Sequence, residues 1–348
     1  MPQTASYYAS AMILDPSTWS AVRWPADQQP LLVVSVDAEA EFDWTNSTSR
    51  KAIGVRSIKK QRSAHRIFAR FGIRPTYLLD FPVSSAEEGY RPIRELLADG
   101  ECEIGAHLQP WDNPPFLEEL NDYTSYPGNL APALEREKLK RLTGNIERNL
   151  GRPPRVHRAG RYGVGRATGE LLIELGYEVD MSVLPTTDLR PKLGPDFRRC
   201  DARPYWVDAQ RRLFEIPLSI GFTGLLARFG PPLHPFSSKF LRLHTPGILA
   251  RLRLLDRITL TPEGIDFFEM RRLTRVLFRT GHRVFSFSYH GPSLEPGNTP
   301  YVQSQADLAA FMTRMERYFD FFMNEIGGRA ATPLEVKALA GKRCAPLC

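Results

Sequence analysis

The sequence predicts a single α/β domain of parallel strands joined by crossover helices. Three observations carry that expectation. Apolar, strand-like runs alternate with segments of helical period, the pattern of successive βα units. At least four of those runs end in an acid, an imidazole or a guanidinium: 31–36 at Asp37, with Glu39 two residues on; 103–106 at His107; 155–157 at Arg158; and 284–289 at His290. Residues just past the carboxyl ends of parallel strands converge on one face of a sheet or barrel, where ligands bind. Finally, 348 residues, 42% of them hydrophobic, suffice for one large domain with a substantial core.

The elements follow in order. Residues 1–29 read as an N-terminal extension. After the Asp37 strand, Ala64, Ile67, Phe68 and Phe71 recur at helical spacing, and Gly72 stops the helix. Residues 75–79 form a strand ending at Asp80. Residues 91–98, closed by Asp99-Gly100, form the helix leading into the His107 strand. Leu139, Leu142, Ile146 and Leu150 mark another helix, closed by Gly151. Residues 167–175 with Gly176 repeat the pattern before a strand at 179–183. The Pro- and Arg-rich stretch 184–260 breaks the rhythm and is expected to be an insertion. Thr261-Pro262 reads as an N-cap followed by proline at the first helical position, opening a helix with Met270, Leu273 and Leu277 on one face. Ser304 with Asp307 caps a long helix whose stripe of Leu308, Phe311, Met312, Met315, Phe319 and Phe322 reads as core. The domain therefore spans 30–325, and 326–348 is left as a C-terminal tail or short docking arm.

Composition narrows the function classes. No apolar stretch approaches the ~20 residues that span a bilayer, and no internal repeat of solenoid length is present. The four cysteines form no CxxC pair, and residues 1–30 lack a basic segment followed by an apolar core. Reduced thiols without a secretory leader favour a cytoplasmic location. The net charge of +7 is modest for this length; a solvated basic face accounts for it, and no nucleic-acid partner is expected. Residues 237–257 mix leucines with Lys239, Arg242, Arg251, Arg253 and Arg257, which raises peripheral contact with anionic membrane as an alternative to a buried insertion helix.

An acid pair, two histidines and an arginine meeting at strand ends is the inventory of metal-assisted hydrolysis. Each residue alone has a plainer explanation: a solvated acidic loop for Asp37 and Glu39, a hydrogen-bonded strand end for His107 or His290, a surface turn for Arg161. No Gly-x-Ser-x-Gly elbow or strand-end Cys–His pair offers a nucleophile. The stretch 160–165 is Gly-rich but matches neither nucleotide-binding fingerprint.

Four motifs, Val36-Asp37-Ala38-Glu39, Gly105-Ala106-His107-Leu108-Gln109-Pro110-Trp111, Arg158-Ala159-Gly160-Arg161-Tyr162-Gly163 and Ser288-Tyr289-His290-Gly291-Pro292-Ser293, occur in this order. They resemble those of polysaccharide deacetylases, the NodB-like carbohydrate esterases, in a branch whose second motif reads His-x-His-Pro-Trp. The resemblance spans roughly residues 30 to 325. It implies a distorted (β/α) barrel of about seven strands with 184–260 inserted; an open doubly wound sheet is the alternative. It implies a divalent metal ion, zinc being the first candidate, and an N-acetylated glycan or sugar as substrate. Carried over residue by residue, Asp37 is the general base and Glu39 a metal ligand, or the two exchange roles, with Glu41 and Asp43 close enough to shift the register. His107 is a metal ligand. Gln109 stands where that branch has its second histidine, so the metal site departs from the pattern at this position. Arg158 orients the catalytic aspartate, and His290 is the general acid. Arg161, Tyr162 and Trp111 shape the substrate rim, and Glu215 is a candidate support for the site. Two other functions remain open at this stage: a catalytically silent carbohydrate-binding relative, and a hydrolase of a small amide or cyclic imide.

Overall fold

The computed structural model of the protein describes residues 11–44, 49–229 and 254–343. In chain order its strands are β1 (Ser20–Ala21), β2 (Leu31–Ala38), β3 (Thr76–Leu79), β4 (Glu103–Leu108), β5 (Val156–Ala159), β6 (Val179–Asp180), β7 (Tyr205–Trp206), β8 (Phe214–Glu215), β9 (Ile220–Thr223), β10 (Asp256–Thr259), β11 (Val284–His290) and β12 (Arg329–Ala330). The helices are α1 (Gln61–Arg70), α2 (Phe81–Ser85), α3 (Glu87–Ala98), α4 (Pro132–Leu150), α5 (Thr168–Glu174), α6 (Phe267–Arg279), α7 (Gln305–Asp320) and α8 (Pro333–Arg343).

The main sheet has the order β1-β7-β8-β6-β5-β4-β3-β2-β11, with β12 also paired to β2. Every pair from β8 to β11 is parallel, while β7 and β1 are added antiparallel at one edge. The architecture is thus mixed α/β with a mainly parallel sheet. The expected barrel is not closed: the ladder begins at β1 and ends at β11. The chain leaves the ladder just past β8 at Pro217, which has no N–H to donate. Beyond it only single bonds reach β11, such as Ser219 N to the Ser286 carbonyl at 3.4 Å and Ser286 N to Ser219 Oγ at 2.9 Å. The separate antiparallel pair β9–β10 lies here, and Ser288 N on β11 donates to the Leu260 carbonyl just past β10 at 3.3 Å.

Alternation along the strands explains how one sheet makes both a core and a site. β2 is buried along its whole length, as expected of a parallel strand covered on both faces. Leu32, Val34 and Val36 face the helix-packed core with Phe68, Phe287 and Phe319. Leu31 and Val33 face a second, smaller core with Val156, Val179, Phe214 and Val284. By the two-residue period, Ser35 and Asp37 continue this inner face, so it is apolar at one end and polar at the carboxyl end. The same period sets Gly105 and His107 on β4, Arg158 on β5, and Ser286, Ser288 and His290 on β11 toward the inside.

Most helices match their sequence signals, including the Ser304–Asp307 capping box of α7, and Gly72, Gly151, Gly176 and Gly281 adopt positive φ where helices end. Two expectations change. Thr261-Pro262 does not open α6; Asp266 caps it, with Glu269 completing the box. Residues 205–215, expected within an insertion, supply β7 and β8 of the main sheet; two-residue strands carry no readable period. The stretch 326–343 is a docked arm: β12 pairs with Leu31 and Leu32, and α8 buries Val336 and Ala340. Cys344 and Cys348, and most of the basic stretch 237–257, lie outside the described residues.

Candidate active site

A cleft of about 610 Å³ opens over the carboxyl ends of the parallel strands, and Asp37, Glu39, His107, Gln109, Tyr162 and His290 are among its lining residues. Asp37 and His290 are register partners on adjacent strands, which brings Asp37 Oδ2 to 4.0 Å from His290 Nε2. Arg158 reaches Asp37 from across the inner face and is fully buried. Its Nη1 donates to Asp37 Oδ1 at 2.5 Å and to Ser288 Oγ at 2.7 Å, its Nη2 to Ser35 Oγ at 2.8 Å, and its Nε to the Met181 carbonyl at 3.0 Å. These bonds fix the guanidinium by neutral oxygens from other strands and leave its charge to Asp37. Burial alone would raise the Asp37 pKa, but the Arg158, His107 and His290 charges outweigh it and hold the carboxyl below the usual range. Asp37 therefore stays ionised, with Oδ2 facing the cleft.

His290 is held by a residue with no strong sequence signal. Its Nδ1 lies 2.7 Å from Glu263 Oε2, and its backbone N–H donates to Glu263 Oε1 at 3.1 Å. Ser293 Oγ donates to the same Oε1 at 2.5 Å. Burial disfavours the imidazolium, yet the Glu263 carboxylate, assisted by Glu39 and Asp37, raises the His290 pKa to about 10. Glu263 occupies the loop that Thr261-Pro262 was expected to turn into helix. Glu263 directly follows Thr261-Pro262, and an acid in the first turn of an expected helix reads as a complement to the helix dipole, which is why its role was missed.

The third group lies at the ends of β2 and β4. His107 Nδ1 is 3.1 Å from the Arg158 carbonyl, which fixes the ring and turns Nε2 to 3.4 Å from Glu39 Oε2. Gln109 Nε2 donates to the same Glu39 oxygen at 2.6 Å. Gln109 therefore points toward Glu39 and His107, not away from them. Gly160 keeps this contact open: a Cβ there would come within 2.6 Å of the Leu108 carbonyl and 2.9 Å of Gln109 Cγ. Asp80, N-cap of α2, accepts from Ala40 N at 2.5 Å and so pins the loop that carries Glu39. Burial lowers and the Asp37 and Glu39 carboxylates raise the His107 pKa, and the net shift is upward.

Whether these residues suit a metal ion can be judged from their unsatisfied atoms. Glu39 Oε1 and Gln109 Oε1 are buried with no hydrogen-bond partner, a costly state that a bound cation would relieve. Among the described residues, no group of three or more His, Cys, Asp or Glu side chains is placed to hold a metal. The donors on offer are one imidazole, one carboxylate and one amide oxygen, with Asp37 beside them. Such a set fits a divalent ion, with a weaker third donor than imidazole.

The rim is aromatic and basic. Arg161 and Tyr162 both take positive φ, 53° and 58°, which turns the loop sharply after β5. Arg161 donates to Ser125 Oγ and stacks 4.3 Å over the Tyr126 ring. Trp111 lines the cleft and is 2% exposed, meeting Phe42 edge-on. Trp44 stands edge-on to His290 at 4.9 Å and to Tyr301 at 5.7 Å. Phe42 and Trp44 were not singled out from sequence, although they directly follow the acidic motif.

Glu215 lies elsewhere. It alternates with the inward Phe214, so it faces the helix side, where its Oε1 accepts from Val183 N at 3.1 Å. Its neighbours there are Asp180, held at 2.7 Å by both His157 Nδ1 and Ser182 Oγ. Burial, then Asp180, pushes the Glu215 pKa well up. Glu215 is a structural acid and no support for the cleft.

No protein-family model matches this chain, and no curated protein matches it. Solved structures do. A "putative polysaccharide deacetylase" from Mycobacterium smegmatis aligns over 93% of this chain and 94% of its own, with TM-score 0.57 and 15% identity. A "probable Polysaccharide deacetylase" from Pseudomonas aeruginosa PAO1 aligns over 94% of this chain and 96% of its own, with TM-score 0.53 and 15% identity. At such identities the likeness establishes a shared fold. Among the described residues, no helix is long and apolar enough to cross a membrane.

Proposed function

We propose that this protein is a hydrolase that removes acetyl groups from an N-acetylated sugar or polysaccharide with the help of a divalent metal ion. The observation that carries this reading is the pair at the cleft floor. Asp37 Oδ2 and His290 Nε2 are 4.0 Å apart, one held ionised by buried Arg158 and the other held protonated by Glu263. An ionised carboxylate beside an imidazolium is a base and an acid poised on one reacting centre. Amide hydrolysis needs both. Asp37 accepts a proton from the attacking water, and His290 donates one to the departing sugar nitrogen. The carbonyl C–N bond breaks, giving acetate and a free amine. Glu39, His107 and Gln109 would hold a divalent ion, zinc being the first candidate. When bound, such an ion polarises the acetamide carbonyl and acidifies water. At the rim, the partly exposed rings of Trp44 and Tyr162 suit the apolar faces of a sugar.

A second reading has its own observation. The Gln109 amide donates to Glu39 Oε2, so one oxygen of the proposed carboxylate ligand is satisfied without a metal. This favours a carbohydrate-binding relative without turnover. Acetate release from N-acetyl amino-sugar oligomers, measured with added zinc, cobalt or nickel, tests the two. Metal-dependent release supports the hydrolase. Glycan binding with no release under any metal replaces it with the silent binder, and release from small amides or imides alone would reassign the substrate.

A further inference from the structure

The acids at the cleft floor are each committed: Asp37 to Arg158, Glu39 to Gln109, and Glu263 to His290. The wall formed by β10 is different. Alternation sends Arg257 and Thr259 into the cleft, and the row continues through Thr261 to Glu263, which touches His290. Arg257 thus stands at the far end of a row whose near end holds the proposed acid. Its neighbour Asp256 cannot neutralise it, because that side chain projects to the opposite face and accepts from Arg272 at 2.5 Å.

The hydrogen bonds of Arg257 go to neutral oxygens, the Pro185 carbonyl at 3.2 Å and Thr187 Oγ1. No carboxylate among the described residues lies within 4.0 Å of it, and all Asp and Glu residues of the chain fall within the described residues. The sequence from 216 to 255 has no acid at all. Nearby arginines differ: Arg190 and Arg198 are cross-paired with Asp188 and Asp196. Lys192, on the same side of the cleft, also has no acidic partner within 4.0 Å among the described residues. Burial works against the Arg257 charge with no opposing carboxylate. A guanidinium in this position has N–H groups facing the cleft and a charge that no carboxylate among the described residues balances. Its planar fork matches a carboxylate or phosphate.

We propose that the cleft takes an N-acetylated sugar that also carries an acidic group, a carboxylate or a phosphate, and that Arg257 binds this group away from the reacting acetamide. The proposal rests on the sugar reading given above and narrows its substrate class. Calorimetric titration of the wild-type protein separates the two. The probes are neutral N,N′-diacetylchitobiose, N-acetylmuramic acid for the carboxylate and N-acetylglucosamine 1-phosphate for the phosphate. The expected result is binding of at least one acidic probe about tenfold or more tighter than the neutral one, with the preference shrinking as salt rises. Arg257→Gln should bring acidic and neutral probes to similar affinities, and Arg257→Lys should retain part of the difference. The better acidic probe identifies the anion. Neutral and acidic probes bound equally by the wild type would overturn this inference and leave the deacetylase reading standing. A preference that survives in Arg257→Gln would overturn the assignment to Arg257. Binding of no sugar at all would overturn both.

Discussion

Glu263→Gln isolates the carboxylate that makes His290 an acid. Glu263 Oε2 lies 2.7 Å from His290 Nδ1, and its charge is the largest influence raising the His290 pKa to about 10 from an ordinary 6.5. Glutamine keeps a hydrogen-bonding oxygen but removes the charge. An opposite charge at contact distance shifts a pKa by ~1–3 units, equivalent to ~1.4–4 kcal/mol. The His290 side chain is 23% exposed, so solvent screens part of this and the lower half of that range applies. Glu39 and Asp37 remain, which keeps the variant above the unperturbed value. The His290 pKa should therefore fall by ~1–2 units. The sign for stability follows from the raised pKa. The stabilisation from the protonated His290–Glu263 pair is complete below about 6.5 and is lost as pH rises through about 10. Glu263→Gln should accordingly lower Tm at pH 7 and have less effect well above pH 10. Titration of the His290 ring proton by NMR reads the pKa without any need for turnover, and the alkaline limb of kcat/KM should move down by the same amount. An unchanged His290 titration in a folded variant would refute the argument that Glu263 sets its charge.

Three other outcomes are expected. Glu135 is 1% exposed and accepts from Thr168 Oγ1 at 2.6 Å, and burial raises its pKa to about 7; a raised carboxyl pKa weakens the fold as pH climbs from about 4.5 to about 7. Glu135→Gln should thus raise stability at pH 8 relative to pH 5, by up to ~3 kcal/mol in denaturant melts, and equal effects at both pH values would contradict it. Arg158→Met removes one member of a buried ion pair and should cost ~3–5 kcal/mol while raising the Asp37 pKa; a variant as stable as wild type in chemical denaturation would show that Arg158 does not hold Asp37. Gln109→His should tighten zinc binding by supplying a second imidazole, whereas His107→Ala should abolish it and His290→Ala should spare it. Competition with a zinc indicator reads all three, and unaltered affinity in Gln109→His would move the third donor elsewhere.

How much was legible before the structure depended on chain period and length. Helices such as 132–150 and 305–320 announce themselves because a buried stripe recurs for several turns and the caps are local chemistry, as with Ser304 and Asp307. The Asp37, His107, Arg158 and His290 strand ends were legible for a related reason: an apolar run that stops abruptly at a charged group has few explanations in a parallel sheet. The short elements were not. β7 and β8, two residues each, sit in an Arg- and Pro-rich stretch with no period, and only their partners make them strands.

The sequence by itself determined which residues lie at the carboxyl ends of the strands, because burial on both faces and the two-residue period are properties of the local pattern. Facing was decided by the register of the sheet. Asp37 and His290 become neighbours because β2 and β11 pair in parallel across 253 residues of chain, and Glu215 turns to the helix side by one step of alternation. Partners distant in sequence were likewise beyond reach: Glu263 beneath His290, Arg158 across the inner face to Asp37, and Arg257 on a wall whose acid points the other way. Charge is long-ranged and non-local, so the ionisation of a side chain is set by groups that folding brings near, and no reading of neighbours along the chain supplies them. The openness of the sheet was decided in the same way, by what β8 and β11 found, or did not find, beside them.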